Sequence, residues 1–161
     1  MVRLNILRDT REQRPWEFDD FDAELRDVTI KTGDYTLAEF CDHDEENDTY
    51  YPRYAVERKG GDDFIDSITR SRDRFKREVK RAAEWDSELL VLIEAPRRTF
   101  KRQEGFMQYR DVSWNAISST VEKWQRYYNV NFRFIGTRKR GQQVAFDALS
   151  SRLRAVLTSE G

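Results

Sequence analysis

The chain has 161 residues, a length that suits one domain with a real hydrophobic core. Hydrophobic residues make up 38% and aromatics 13%, which excludes a chain disordered by composition, while charged residues reach 37% against a usual share of about 25%. The formal net charge is only -1, so total charge does not point to nucleic acid and only its distribution can.

The single cysteine, Cys41, excludes an intrachain disulfide and fits a reducing compartment. No apolar leader opens the chain, and its longest strong apolar run, residues 89–93, is far too short to span a bilayer. These features predict an intracellular protein of cytoplasm or nucleoid, or of the nucleus in a eukaryote, without a membrane partner.

In chain order, residues 3–8 carry Leu4, Ile6 and Leu7 and read as an opening strand, followed by a polar loop over 9–18. Val28 and Ile30 alternate with polar neighbours, the period of a strand. Gly33-Asp34 makes a turn, and residues 35–40 form the return strand. Residues 42–48 are a dense acidic run, read as a solvated loop. Residues 53–59 form the next strand, with Tyr54 and Val56 on one face. Gly60-Gly61 ends it, and Asp62 or Asp63 caps a helix by accepting hydrogen bonds from its first free N–H groups. That helix runs to about Trp85, with Phe64, Ile68, Phe75, Val79, Ala82 and Ala83 near one face.

Residues 89–94 are a buried strand and 97–102 a basic loop. Trp114, Ile117, Val121, Trp124 and Tyr128 keep the three-four spacing of an amphipathic helix. Val130, Phe132 and Phe134 alternate as a last strand, and residues 141–157 close as a helix. Strands first, then alternating helix and strand, predict an α/β fold with a central mixed sheet flanked by helices.

Four acids fall at strand ends or turns: Asp9, Glu12, Asp34 and Glu57. On a strand, residues two apart share a face, so Glu57 and Lys59 project together and Arg58 points away. A hairpin-like return from Asp34 brings its carboxylate beside Glu57. Carboxylates that close repel unless a cation sits among them, and hard oxygen donors select Mg²⁺ or Mn²⁺. Such an ion polarises phosphate and acidifies bound water, and a neighbouring lysine stabilises developing charge. Taken alone, Asp followed later by Glu-x-Lys is a frequent chance pattern, and a surface Glu–Lys pair is usually inert.

The wider pattern is more specific. Asp9-Thr10-Arg11-Glu12, Gly33-Asp34-Tyr35, Val56-Glu57-Arg58-Lys59 and Asp63 four residues later closely resemble the signature of the XPF-type endonucleases, the excision-repair nuclease family. Asp63-Phe64-Ile65, Ser67-Ile68, Arg72, Arg74-Phe75 and the strand at 90–94 extend the similarity over residues 6–94. The resemblance implies a restriction-endonuclease-like core and Mg²⁺- or Mn²⁺-dependent cleavage of DNA at flaps, forks and junctions. By position it makes Asp34 and Glu57 the main metal ligands, with Asp9 and Glu12 as outer ligands or orienters. Arg58, Lys59 and Asp63 complete the motif, Lys59 nearest the reacting phosphate, and Arg72 contacts phosphate or tunes the site. The chain reads as one nuclease domain over 1–161, without the helicase or helix-hairpin-helix regions of larger family members.

The basic stretches at 70–81, 97–102 and 138–140 suit salt-sensitive DNA binding, with Arg11, Arg70, Arg72, Arg74, Lys76, Arg97 and Arg98 as candidate contacts. Each stretch alone reads equally well as a solvated helix face. Trp114, Trp124, Tyr127 and Tyr128 read as core or interface before they read as base-stacking platforms, and Cys41 with His43 is too few ligands for zinc. The resemblance also implies a homodimer through the C-terminal helices, using residues such as Val144, Phe146, Leu149 and Leu153. Two other functions stay open on sequence: a non-catalytic DNA-binding and dimerisation partner, and a nuclease of simple duplex DNA.

Overall fold

The computed structural model describes residues 3–102 and 112–160. Its strands are β1 (Leu4–Asp9), β2 (Ala23–Ile30), β3 (Tyr35–Leu37), β4 (Cys41–Asp44), β5 (Thr49–Pro52), β6 (Ala55–Gly60), β7 (Leu89–Glu94) and β8 (Val130–Phe134). Its helices are α1 (Gly61–Ile68), α2 (Arg72–Ala82), α3 (Arg97–Arg102), α4 (Trp114–Tyr127) and α5 (Arg138–Glu160). Among the described residues the strands form one mixed sheet in the order β4-β5-β2-β1-β3-β6-β7-β8. The β6-β7-β8 edge is parallel, β3 runs antiparallel to both β1 and β6, and β2 is parallel to β1.

The period of two in β7 divides the core. Leu89, Val91 and Ile93 join Phe64, Phe75, Val79 and Trp124 under α1, α2 and α4, while Leu90 and Leu92 face Trp16, Tyr35 and the α5 residues Ala145 and Leu149. The same alternation in β6 sends Ala55 to the first face and Val56 to the second. Continued two residues at a time, it sends Glu57 and Lys59 toward α2 and Arg58 toward the Trp16 side. A run of apolar strand buried on both faces is the expected signature of a parallel element.

Several elements differ from the sequence expectations. The segment 35–40 is strand only to Leu37 and then a 3-10 turn over Ala38–Phe40. The acidic run is a hairpin, because β4 pairs with β5, His43 stacks on Tyr50 at 4.2 Å, and the Asp44 carboxylate accepts from the Glu46 and Asn47 amides to close the turn. Residues 97–102 form α3 rather than a loop, with Phe100 buried against Phe64 and Phe134. The long helix expected over 62–85 is two helices. Thr69 leaves the helical region, Ser71 Oγ donates to Asp66 Oδ2 at 2.8 Å, and the Ser71 amide bonds to the Asp66 carbonyl, so local side-chain bonds compete with helix continuation. The cap of α1 is Gly60, with no side-chain cap bond, so Asp62 and Asp63 sit in the first turn where the helix dipole favours acids.

Residues of α5 proposed for a dimer face are partly spent inside the chain: Leu149 and Leu153 are buried under the sheet, and Phe146 packs on Phe21 at 4.9 Å. No described helix is long and apolar enough to cross a membrane.

Candidate active site

Asp34 is pinned through its backbone between two strands. Its amide donates to the Val56 carbonyl at 2.8 Å and its carbonyl accepts from the Asp9 amide at 2.8 Å. Gly33 makes this close approach possible: its φ is +95°, and a Cβ there would lie 2.6 Å from that of Ala55. Gly33→Ala is expected to cost roughly 2–4 kcal/mol of stability and to displace Asp34. Thermal and denaturant unfolding read this directly, and a variant within about 1 kcal/mol of wild type contradicts the packing argument.

The carboxylates of Asp34 and Glu57 line one cavity of about 440 Å³ at the strand ends, together with Asp9, Glu12, Lys59, Asp63 and Arg74. The structure thus brings together every acid of the motif. Asp34 Oδ2 accepts the Arg58 backbone N–H at 2.8 Å. Burial, and then the charges of Glu57 and Glu12, hold the Asp34 carboxyl well above the ordinary carboxylate range, against that hydrogen bond. Burial likewise raises Glu57 to about 7; Lys59 eases the rise and Glu78 adds to it. Lys59 Nζ lies 3.4 Å from Glu57 Oε2 and 4.4 Å above the Phe75 ring, so a carboxylate and an aromatic face aim the ammonium into the cavity.

Asp9 has both oxygens engaged. Oδ1 accepts from the Ile30 amide at 3.0 Å and Oδ2 from Arg11 Nε at 2.8 Å, a geometry that braces the end of β1 against that of β2. Glu12 is turned to Arg58, whose Nε and Nη2 donate to its two oxygens at 3.1 and 3.3 Å. Arg58 Nη1 also lies 3.4 Å from Glu94 Oε2, and Trp16 Nε1 donates to Glu94 Oε1 at 2.8 Å. This Glu12–Arg58–Glu94–Trp16 chain leads from the cavity lining, at Glu12 and Arg58, into the Trp16 side of the core and fixes the strand that presents Glu57 and Lys59.

The donors present fit a hard divalent cation. Two carboxylates of like charge, Glu57 buried and Asp34 half-buried, each pushed toward its protonated form, are the imbalance that a cation relieves. Among the described residues no three His, Cys, Asp or Glu side chains form a ready-made cage. Mg²⁺ does not need one, because it keeps several waters and takes one or two carboxylates plus substrate phosphates.

Sequence reasoning missed Glu78, Lys31 and Thr32, which also line the cavity. Glu78 lies three residues after Phe75, whose buried ring turns that side of α2 to the site; the 3.6-residue period was the available signal. Of the proposed DNA contacts, Arg74 is exposed at the cavity, Arg11 lies at its edge and Arg98 is exposed. Arg70 Nε bonds to Asp66 at 2.9 Å, and Lys76 lines a separate polar hollow with Arg77 and Lys80. Arg97 lies over Phe134, 5.4 Å from the ring centroid. Arg72 donates to the Ile68 carbonyl and Thr120 Oγ1 and lies 5.1 Å from the Trp124 ring centroid, the geometry of a brace between α2 and α4. Trp124 is core, as expected, and Tyr127 is exposed.

The sequence profile of the ERCC4 domain matches residues 8–144, which include Asp34, Glu57, Lys59 and Asp63. The chain belongs to the ERCC4 domain family. Its fold is similar to that of XPF from Aeropyrum pernix, with a TM-score of 0.68 and 17% identity over 97% of this chain and 68% of that one. No curated protein matches the sequence. ERCC4 domains of this XPF type are DNA nucleases and generally depend on a divalent metal, and the central mixed sheet flanked by helices is the XPF nuclease fold.

Proposed function

We propose that this ERCC4 domain is an endonuclease that hydrolyses phosphodiester bonds with Mg²⁺ or Mn²⁺, at branched DNA. The observation that carries the reading is the convergence of the Asp34 and Glu57 carboxylates in one cavity, both held above their ordinary range, with Lys59 aimed beside them. Asp34 and Glu57 would hold the ion, which supplies a polarised phosphate and an acidified water when bound.

The chain's own groups do the rest. The Arg58 amide orients Asp34, and Phe75 keeps the Lys59 ammonium from swinging into solvent. Lys59 stabilises charge that develops on a phosphate oxygen. Asp9 and the Glu12–Arg58–Glu94 chain position the strand ends rather than touch the reacting bond. Arg74, exposed at the mouth, is placed to meet a DNA phosphate.

The specificity is tested by comparing a 3′ flap, a 5′ flap and a fork with linear duplex of the same sequence. Flap or fork cleavage at least about tenfold faster, about 1.4 kcal/mol in transition-state terms, is expected. Equal rates would reassign the chain as a nuclease of simple duplex, and DNA binding without cutting of any substrate would make it a non-catalytic partner. A homodimer through α5 is part of the same proposal, and sedimentation of the free chain reads it out.

A further inference from the structure

A second polar cleft adjoins the active site and shares Arg11, Lys31 and Glu78 with it. Its floor is the outer face of β2 and β5, where Thr29 pairs with Thr49 and Tyr51 follows two residues on. The last turns of α2 contribute Glu78 and Arg81 to the lining, and the hairpin turn contributes Asn47. We infer that this cleft holds one single-stranded arm of the DNA substrate, with Arg11, Lys31 and Arg81 meeting its phosphates and Tyr51 stacking on a base. The inference rests on the reading of the chain as a DNA enzyme and adds where a strand runs.

Four features support it. The lining carries three cations, Arg11, Lys31 and Arg81, against one acid, Glu78, with Arg11 also paired to Asp9 at 2.8 Å, although the whole chain has a net charge of -1. Two of the cations are held in place by bonds that leave donors free: Arg81 Nε to Thr32 Oγ1 at 2.7 Å, and Arg11 Nη2 to the Ile30 carbonyl at 2.8 Å. The Lys31 ammonium is exposed, with no hydrogen bond or ion pair to a described residue. Tyr51 is one of the few large aromatic side chains left exposed, at 42%, and makes no ring contact with a described residue.

The occupant follows from size and chemistry. A cleft of about 460 Å³ is the scale of a small-molecule site and takes a nucleotide or two, not a duplex. Cations along a groove beside an exposed ring are what sequence-tolerant single-strand binding uses. Asn47 is flanked by the exposed acids Glu46 and Asp48, which repel phosphate and end the path at the hairpin tip.

The test is fluorescence anisotropy with the full chain in chelator, using a labelled oligothymidine strand and a blunt duplex of equal length. Because nothing is cut in chelator, failure here is separate from failure of the nuclease reading. Tyr51→Ala is expected to weaken single-strand binding about tenfold, with Tyr51→Phe close to wild type. Lys31→Ala is expected to weaken it severalfold and to lower the slope of log affinity against log salt by about 0.7, with Lys31→Arg restoring both. Duplex binding changes less than about twofold in each variant, and Lys123→Ala on α4 changes neither ligand. All the substituted side chains are exposed, and unchanged circular dichroism verifies folding. The inference is overturned if wild type does not bind the single strand, if Tyr51→Ala binds as wild type does, or if single strand and duplex lose affinity equally.

Discussion

Glu57→Gln is expected to reduce DNA cleavage by at least about 10³-fold, or roughly 4 kcal/mol in the barrier, while making the metal-free protein more stable at pH 8. The two effects have one cause. Glu57 is buried, 8% exposed, beside a second carboxylate, and it is raised to about 7. An unfolded chain releases the Glu57 proton near its ordinary value, and the folded chain holds it until about pH 7. Between those values the folded state binds more protons, so stability falls as pH rises through that window and is lowest above it. The size of that loss is on the order of 3 kcal/mol for the metal-free protein.

Glutamine keeps the shape and removes the charge, so the variant loses the Glu57 part of this pH dependence along with its activity and keeps the part that burial gives Asp34. Denaturant midpoints of both proteins from pH 5 to 8.5, in chelator, read the stability half. A wild type whose midpoint rises over that range, with the variant in parallel, contradicts the burial argument. Divalent metal should restore the wild type at pH 8 and leave Glu57→Gln unchanged, since a ligand stabilises only the state that binds it.

Arg58→Met is expected to be the most destabilising single change, by about 3–5 kcal/mol. Arg58 stands between Glu12 and Glu94, with side-chain exposures of 5%, 6% and 13%. Its removal leaves two buried carboxylates without a cation, and Trp16 bonded to one of them. Neutralising the acids as well, in Arg58→Met with Glu12→Gln and Glu94→Gln, should return most of the loss, because replacing a whole buried ionic group costs far less than breaking it. Equal midpoints for single and triple variants would show that Arg58 acts through its packing instead.

Much of this was legible in the sequence because it rests on period and turn chemistry. Alternation placed β6 and β8, a continuous apolar run placed β7, and the two-residue spacing of Glu57 and Lys59 put them on one face with Arg58 opposite, as found. Gly33-Asp34 read as a turn, and the positive φ of Gly33 is the reason. What was hidden depends on side-chain bonds that composition does not reveal. The acidic run at 42–48 becomes a hairpin through Asp44 and the His43–Tyr50 stack. The helix over 62–85 breaks where Asp66 captures Ser71. Likewise, motif position suggested Asp9 and Glu12 as outer ligands or orienters, but only the three-dimensional contacts show Asp9 bound to Ile30 and Arg11, and Glu12 bound to Arg58. Motif position likewise suggested that Arg72 contacts phosphate or tunes the site, but the groups it touches, Thr120 and Trp124, lie far along the chain.

Calorimetric titration of Mn²⁺ tests most directly whether Asp34 and Glu57 form a divalent-cation site. The experiment uses wild type, Asp34→Asn and Glu57→Gln at pH 7, each repeated in two buffers of different ionisation heat. Saturable binding to wild type, with proton release that differs in heat between the buffers and with loss of binding in both variants, is the predicted result. Binding of equal strength in all three proteins, or none in wild type, would contradict it.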